Sequence, residues 1–170
     1  MIKIVVDSTC DLPEEYYQRY DLTVVPINIQ FGSDTYRDRV DIDQQTFLRK
    51  IDETGTLPQT SQPSAGQFLE CYQQLADKGA TEIISIHVTA KLSGTLQSAQ
   101  LAAEMVADRV LVHPFDSAGG SAGVGFLALE AARMAQEGKA VDEILERLST
   151  VRPKIQILIT VKDLRFAQLS

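Results

Sequence analysis

Positive charge is scarce in this chain. Sixteen lysines and arginines stand against 23 acidic side chains, a formal net charge of −7 over 170 residues. A nucleic-acid-binding face normally concentrates basic residues, so none is expected here. Cysteine is scarcer still, at Cys10 and Cys71 only, with no CxxC pair and no His/Cys cluster. That argues against a disulfide scaffold and against a structural zinc site, and it fits a reducing cytosol. Histidine is limited to His87 and His113, so candidate imidazole bases are few. No apolar run approaches the roughly 18 residues that span a bilayer. The opening stretch Met1–Asp7 turns acidic too soon for a secretory leader, so a cytoplasmic protein is expected. Internal repeats, linkers and low-complexity segments are missing as well.

What the chain does contain is a regular alternation. Apolar runs at Ile2–Val6, Thr23–Phe31, Glu82–Val88 and Arg109–Phe115 read as strands. Between them lie helical patterns. One begins at Pro13 with Asp11 as its cap. A second opens at Asp43 and carries Phe47, Leu48 and Ile51 on one face. A third starts with the capping-box pair Ser64 and Gln67 and stops at Gly79. A fourth follows Ser93-Gly94-Thr95 with Leu96, Ala99, Ala103 and Val106 as its apolar stripe. Two more cover Val124–Gly138 and Val141–Thr150. Gly32-Ser33-Asp34 reads as a turn into Thr35–Arg37, and Ile155–Val161 as a strand after a Pro153 break. Strands alternating with helices predict an α/β fold, a parallel sheet covered by helices on both faces.

In such sheets ligands bind beyond the carboxyl ends of the strands. Three of the strands end in loops rich in Ser, Thr, Asp and Gly: Asp7–Asp11, Thr89–Thr95 and Asp116–Gly125. Thr60–Ser64, a predicted helix start, would join them in one crevice. Gly119–Gly125 is not GxGxxG in register and lacks the Gly-Lys-Ser/Thr ending of a P-loop. These loops hold Asp7, Asp11 and Asp116 but a single base, Lys91. A polyphosphate would want more positive charge, whereas hydroxyls and helix-terminal N–H groups can hold one carboxylate. The plainer role for the glycines is close helix–strand packing. Ser93 sits in a strand–turn–helix context, but Lys91-Leu92-Ser93-Gly94-Thr95 lacks the first glycine of a GxSxG elbow. A hydrolase would need His87 or His113 as its base, and both fall inside strands. Asp7 and Asp116 could form a Mg²⁺ or general-base pair for phosphotransfer; the commoner role of Asp-Ser sequences is to bond their own turns. Thr60, Ser61 and Ser64 offer more hydroxyls than one helix cap uses.

The motifs Asp7-Ser8-Thr9-Cys10-Asp11-Leu12, Thr60-Ser61-Gln62-Pro63-Ser64, Leu92-Ser93-Gly94-Thr95-Leu96-Gln97-Ser98-Ala99 and Phe115-Asp116-Ser117 resemble the DegV family in order and spacing over nearly the whole chain. The resemblance implies a two-domain α/β protein that buries one long-chain fatty acid as its ligand, with no metal or other cofactor. It implies a carrier of bacterial phospholipid metabolism that is not itself an enzyme. A separate fatty acid kinase subunit would phosphorylate the bound carboxylate, and transient membrane contact is compatible with that role. Carried onto this sequence, the head group would be held by Thr60 or Ser61, by Ser93, and by the helix start Gly94–Thr95, with Asp116 and Ser117 beside them. Ile27, Ile29 and Phe126 are candidates for lining the tail, although core packing is the simpler role for each. Against the family pattern, residues 1–152 read as the first domain and 153–170 as the first strand and stub of a truncated second one. Further carboxylate contacts, including a histidine, would belong to that second domain.

Overall fold

The computed structural model describes residues 1–158 and 160. Its centre is a four-stranded parallel sheet in the order β2-β1-β6-β7, where β1 is Ile2–Asp7, β2 Leu22–Val25, β6 Glu82–His87 and β7 Leu111–Asp116. Alternate side chains of a strand point to opposite faces, which explains the unbroken apolar runs. Ile4 and Val6 of β1, with Ile84 and Ile86 of β6, enter one core. That core is filled from outside by helices α5 (Ala122–Gln136) and α6 (Val141–Val151) and by Tyr17 of α1 (Glu14–Arg19). Val5 and Ile83 face the other way, onto Phe68, Tyr72 and Leu75 of α3 (Ala65–Asp77) and onto Ala99 and Ala102 of α4 (Thr95–Met105). The expected parallel sheet with helices on both faces is what the chain builds.

The predicted strand Thr23–Phe31 divides in two. After β2 the chain leaves the parallel sheet at Pro26-Ile27. It then forms a small antiparallel sheet, order β4-β3-β5, from β3 (Asn28–Phe31), β4 (Asp34–Arg37) and β5 (Gln59–Ser61). Proline offers no N–H to a ladder, and β2 is an edge strand, so this is a natural exit point. The Ile27 N–H that follows donates to Ser8 Oγ at 3.1 Å, outside any sheet. Gly32, at φ 59°, makes the tight β3–β4 connection. Helix α2 (Gln44–Thr54) lies beside this sheet, with Phe47 edge-on to Phe31 at 5.9 Å between centroids. No residue of α2 is fully buried, and Leu48 is 52% exposed.

Local signals hold at several helix ends and fail at others. Asp43 accepts from Thr46 N–H at 2.7 Å. Ser64 and Gln67 form the reciprocal capping box. Gly79, at φ 89°, closes α3 with bonds from Gly79 N–H to Ala76 O and Ala80 N–H to Leu75 O, the paired pattern of a Schellman ending. Asp11, by contrast, caps nothing. It sits in the left-handed region at φ 46° after a 3-10 turn over Ser8–Cys10, and α1 starts behind Pro13 without a side-chain cap. A further difference lies at the end of the chain. Arg152–Lys154 is a 3-10 turn and residues 155–158 and 160 form no strand; positions 159 and 161 of the expected strand fall outside the described residues.

Candidate functional site: a cleft at the carboxyl ends of the parallel strands

The order of the parallel strands reverses between β1 and β6, and the loops after β1, β6 and β7 are tied together there. Val88 N–H donates to Asp7 Oδ2 at 3.0 Å, Ser117 N–H to the His87 carbonyl at 3.1 Å, and Thr89 N–H to the Gly119 carbonyl at 2.8 Å. Beside this junction, between the Ser8–Cys10 turn, the antiparallel sheet and α2, opens a cleft of about 780 Å³, within the size range of small-ligand sites. Ser8, Thr9 and Thr60 bring hydroxyls to its wall. Leu12, Ile27, Ile29 and Phe47 bring apolar surface.

Thr60 and Ser61, indistinguishable by spacing, are separated by the pleat. Thr60 pairs with Ile29 across β3–β5 and lines the cleft; Ser61 pairs with Asn28 and projects from the opposite face of the sheet. Ser93 and Gly94 stand next to this strand, because the side chain of Gln62 lies on Gly94. A methyl group built on Gly94 would come within 2.7 Å of Gln62 Nε2. Gln62 thus links the end of β5 to Gly94, but of the predicted site residues only Thr60 is on the cleft wall; Ser61, Ser93, Gly94, Thr95, Asp116 and Ser117 are not. Thr95 is fully buried, and its hydroxyl bonds that of Ser93 at 2.9 Å. The helix start differs from the expected cap: Gly94 holds the N-cap position, and Ser93 Oγ, one residue earlier, accepts from Thr95 N–H at 3.3 Å. Asp116 and Ser117 bond their own turn, through Ala118 N–H and Gly119. The Asp116 carbonyl also accepts from Arg152 at 3.0 Å. Ser117 is buried and Asp116 half-buried. Phe126, 61% exposed on α5, lies away from the cleft wall.

Neither histidine bonds Ser93. His87 is fully buried and occupied on both ring nitrogens, by Asp7 Oδ2 at 3.1 Å and by Ser85 Oγ at 2.7 Å, and Ser85 in turn bonds Tyr72 Oη at 2.8 Å. His113 pairs with Glu82 at 3.2 Å. Asp7 has no free oxygen to offer a metal: Thr9 bonds Oδ1, while His87 and Val88 bond Oδ2. Burial pushes its carboxyl up, but the bonds from His87, Thr9 and Val88 together outweigh that and hold it below the usual aspartate value. No group of three potential metal ligands occurs among the described residues. The glycine-rich stretch serves packing at Gly125, where an added methyl would lie 2.9 Å from the Cys10 carbonyl and 2.7 Å from Leu12 Cδ2.

The cleft holds a cation that loop spacing could not reveal. Arg39, from the segment after β4, reaches across to Asp11 Oδ1 at 3.1 Å and lies over the Tyr17 ring, while Lys91 stays exposed and outside the wall. Asp11, Glu14, Asp38 and Asp43 surround Arg39, so that end of the cleft stays acidic. Phe47, contributed by α2, was legible only as a helix-face residue. Ser8 and Thr9 stood out in the motif, yet without the cleft nothing distinguished them from turn-capping hydroxyls.

Such a fold and cleft describe an α/β protein with a cleft of small-ligand size beside the carboxyl end of β1. The chain belongs to the DegV family: a family model described as uncharacterised proteins of that family matches residues 1–169. Protein DegV of Bacillus subtilis is 33% identical over 168 residues, covering 98% of this chain and 59% of that protein. A DegV domain-containing protein of Clostridium perfringens is 36% identical over 164 residues, covering 96% and 58%. Among solved structures, the B. subtilis DegV, described as a fatty acid binding protein, matches with a TM-score of 0.85 at 33% identity, covering 89% of this chain and 54% of that one. A Thermus thermophilus DegV family protein, described by its fatty acid binding, matches at 0.79 and 37% identity, covering 89% and 53%. The chain thus spans little more than half the length of these relatives.

Proposed function

We propose that this chain binds one long-chain fatty acid and acts as a carrier rather than an enzyme. The observation that carries the reading is the cleft itself, in which Ser8, Thr9 and Thr60 meet Leu12, Ile27, Ile29 and Phe47 on one wall. Hydroxyls and hydrocarbon in one cleft suit an amphiphile with a single small head group. Burying an acyl tail gains about 0.8 kcal/mol per methylene, so a chain of sixteen or so carbons outweighs the one or two net hydrogen bonds at its head. The tail sets affinity and the head sets orientation. The acidic end around Asp38 and Asp43 repels a carboxylate. The head group therefore belongs with the hydroxyl of Thr60, two residues before Gln62, whose side chain lies on Gly94. The relatives support this: besides those above, a protein from Eubacterium ventriosum, 29% identical with a TM-score of 0.79, is described as stearic acid-binding.

In this reading a partner kinase phosphorylates the presented carboxylate, residues 153–170 begin a second unit that completes the site, and the protein works in the cytoplasm. No helix among the described residues is long and apolar enough to cross a membrane, and contact with a lipid surface would be peripheral. Native mass spectrometry of the purified chain tests the proposal. It should show a co-purified fatty acid, or uptake of oleate or palmitate. A bare mass that accepts neither, both in this chain and in one extended to the length of its relatives, would rule the carrier out.

A further inference from the structure

Tyr72, Ser85, His87 and Asp7 form a continuous polar chain through the middle of the molecule, and all four are fully buried. Polar groups buried this way gain little over apolar residues of the same volume, so stability alone does not account for them. Their protons run in one direction. With the Asp7 carboxylate as terminal acceptor, every proton is placed when the Tyr72 hydroxyl donates to Ser85 Oγ, the Ser85 hydroxyl to His87 Nε2, and His87 Nδ1–H to Asp7 Oδ2. Three protons make three bonds and end on the one member that only accepts. The opposite direction would need a charged imidazole and would leave the phenol proton without an acceptor. No buried side-chain polar atom among the described residues lacks a partner.

We infer that this relay positions the ligand cleft, with Asp7 as the joint between the Ser8–Cys10 turn that lines it and the neighbouring loop after β6. Oδ1 of Asp7 holds Thr9, through the backbone N–H at 3.0 Å and the hydroxyl. That forms the turn carrying Ser8, whose Oγ accepts from Ile27 N–H. Oδ2 holds Val88 N–H, the entry to the loop in which Thr89 O accepts from Ser93 N–H at 3.2 Å. One carboxylate thus fixes cleft-lining Thr9 on one side and the Ser93–Gly94 segment on the other. The His87–Ser85–Tyr72 chain keeps that carboxylate oriented and its partner in a single tautomer. Asp7 and His87 are positioning residues; nothing from solvent reaches them. The link to a lipid rests on the function proposed above, whereas the mechanical coupling of the loops does not.

The test uses Asp7→Asn, which keeps the size but replaces an acceptor oxygen with a donor, and Ser85→Ala, which cuts the relay one step back. Ile27 and Ser93 amides report the two loops, because neither bonds Asp7; Leu127 and Ala128 of α5 report global unfolding. In the wild type, ¹⁵N NMR should show His87 protonated at Nδ1 and bare at Nε2. In Asp7→Asn, Ile27 and Ser93 should both exchange at least tenfold faster than Leu127 and Ala128, and in Ser85→Ala about threefold faster. If the two reporters stay in step with α5 in both variants, or only Ile27 departs, the relay does not join the loops. If Asp7→Asn fails to fold, Ser85→Ala decides. Oleate is the ligand probe, and Asp7→Asn should weaken it at least tenfold. Unchanged affinity beside altered exchange would overturn the positioning role. A wild type that binds no oleate would remove the lipid reading and leave the coupling to the exchange result.

Discussion

Asp7 sits where the sheet changes direction, and its environment makes its charge a stabilising feature. Its folded pKa lies below the ordinary aspartate value of 3.8, so the stability it contributes is fully present above that pH and is lost as pH falls through the lower folded value. Acid unfolding followed by circular dichroism should therefore steepen below about pH 4, and Asp7→Asn should flatten that limb. The same variant should cost about 1–3 kcal/mol at neutral pH by leaving buried donors unpaired. The two cysteines make the opposite case. Burial pushes the thiols of Cys10 and Cys71 each up to about 12, so neither forms a thiolate at neutral pH. Native protein should resist a thiol reagent at pH 7.5, and unfolded protein should label at both; rapid native labelling would contradict the burial. Gly125→Ala should destabilise by about 1–3 kcal/mol in a denaturant titration, because its methyl meets the backbone carbonyl of Cys10 as well as the Leu12 side chain, and the carbonyl cannot turn away.

At the scale of elements, the helices differ in how firmly they are built. Helix α3 is anchored at both ends, by the Ser64–Gln67 box and the Gly79 ending, and Ser64→Ala should cost about 1 kcal/mol in thermal unfolding. Helix α2 has a sound cap at Asp43 but no fully buried residue. Its amides should exchange well before those of α5, which buries eight of its residues. α2, with Phe47, is the less deeply packed wall of the cleft. The loop after β7 carries strain of its own. Ala118 and Ser121 hold φ of 54° and 50°, while Gly119 and Gly120 do not use their freedom. Ser121→Gly should therefore stabilise the fold by about 1 kcal/mol, measured by denaturant midpoint, by relieving a backbone that favours glycine.

For the whole molecule, two cores back to back on one sheet make a rigid base, and the antiparallel sheet with α2 stands off it to form the cleft. The layered α/β plan was legible because buried parallel strands and amphipathic helices write themselves as local patterns: Ile2–Val6, the Ser64–Gln67 pair and the stop at Gly79 each carry their own signal. So were the loops that meet at the sheet edge, since every parallel strand delivers its carboxyl end to the same side. Pairings between distant residues were not legible. Asp7 and His87 lie 80 positions apart, and only the β1–β6 register brings them together. Arg39 enters the cleft from a segment whose spacing points nowhere near it. Thr60 parts from Ser61 only because β5 pairs with β3 and a pleat turns successive side chains to opposite faces. Local chemistry determined most of the elements and several of their ends. Which hydroxyls face one another, which charge is already spent and which helix packs less deeply are questions of contact across the sequence, and folding alone answers them.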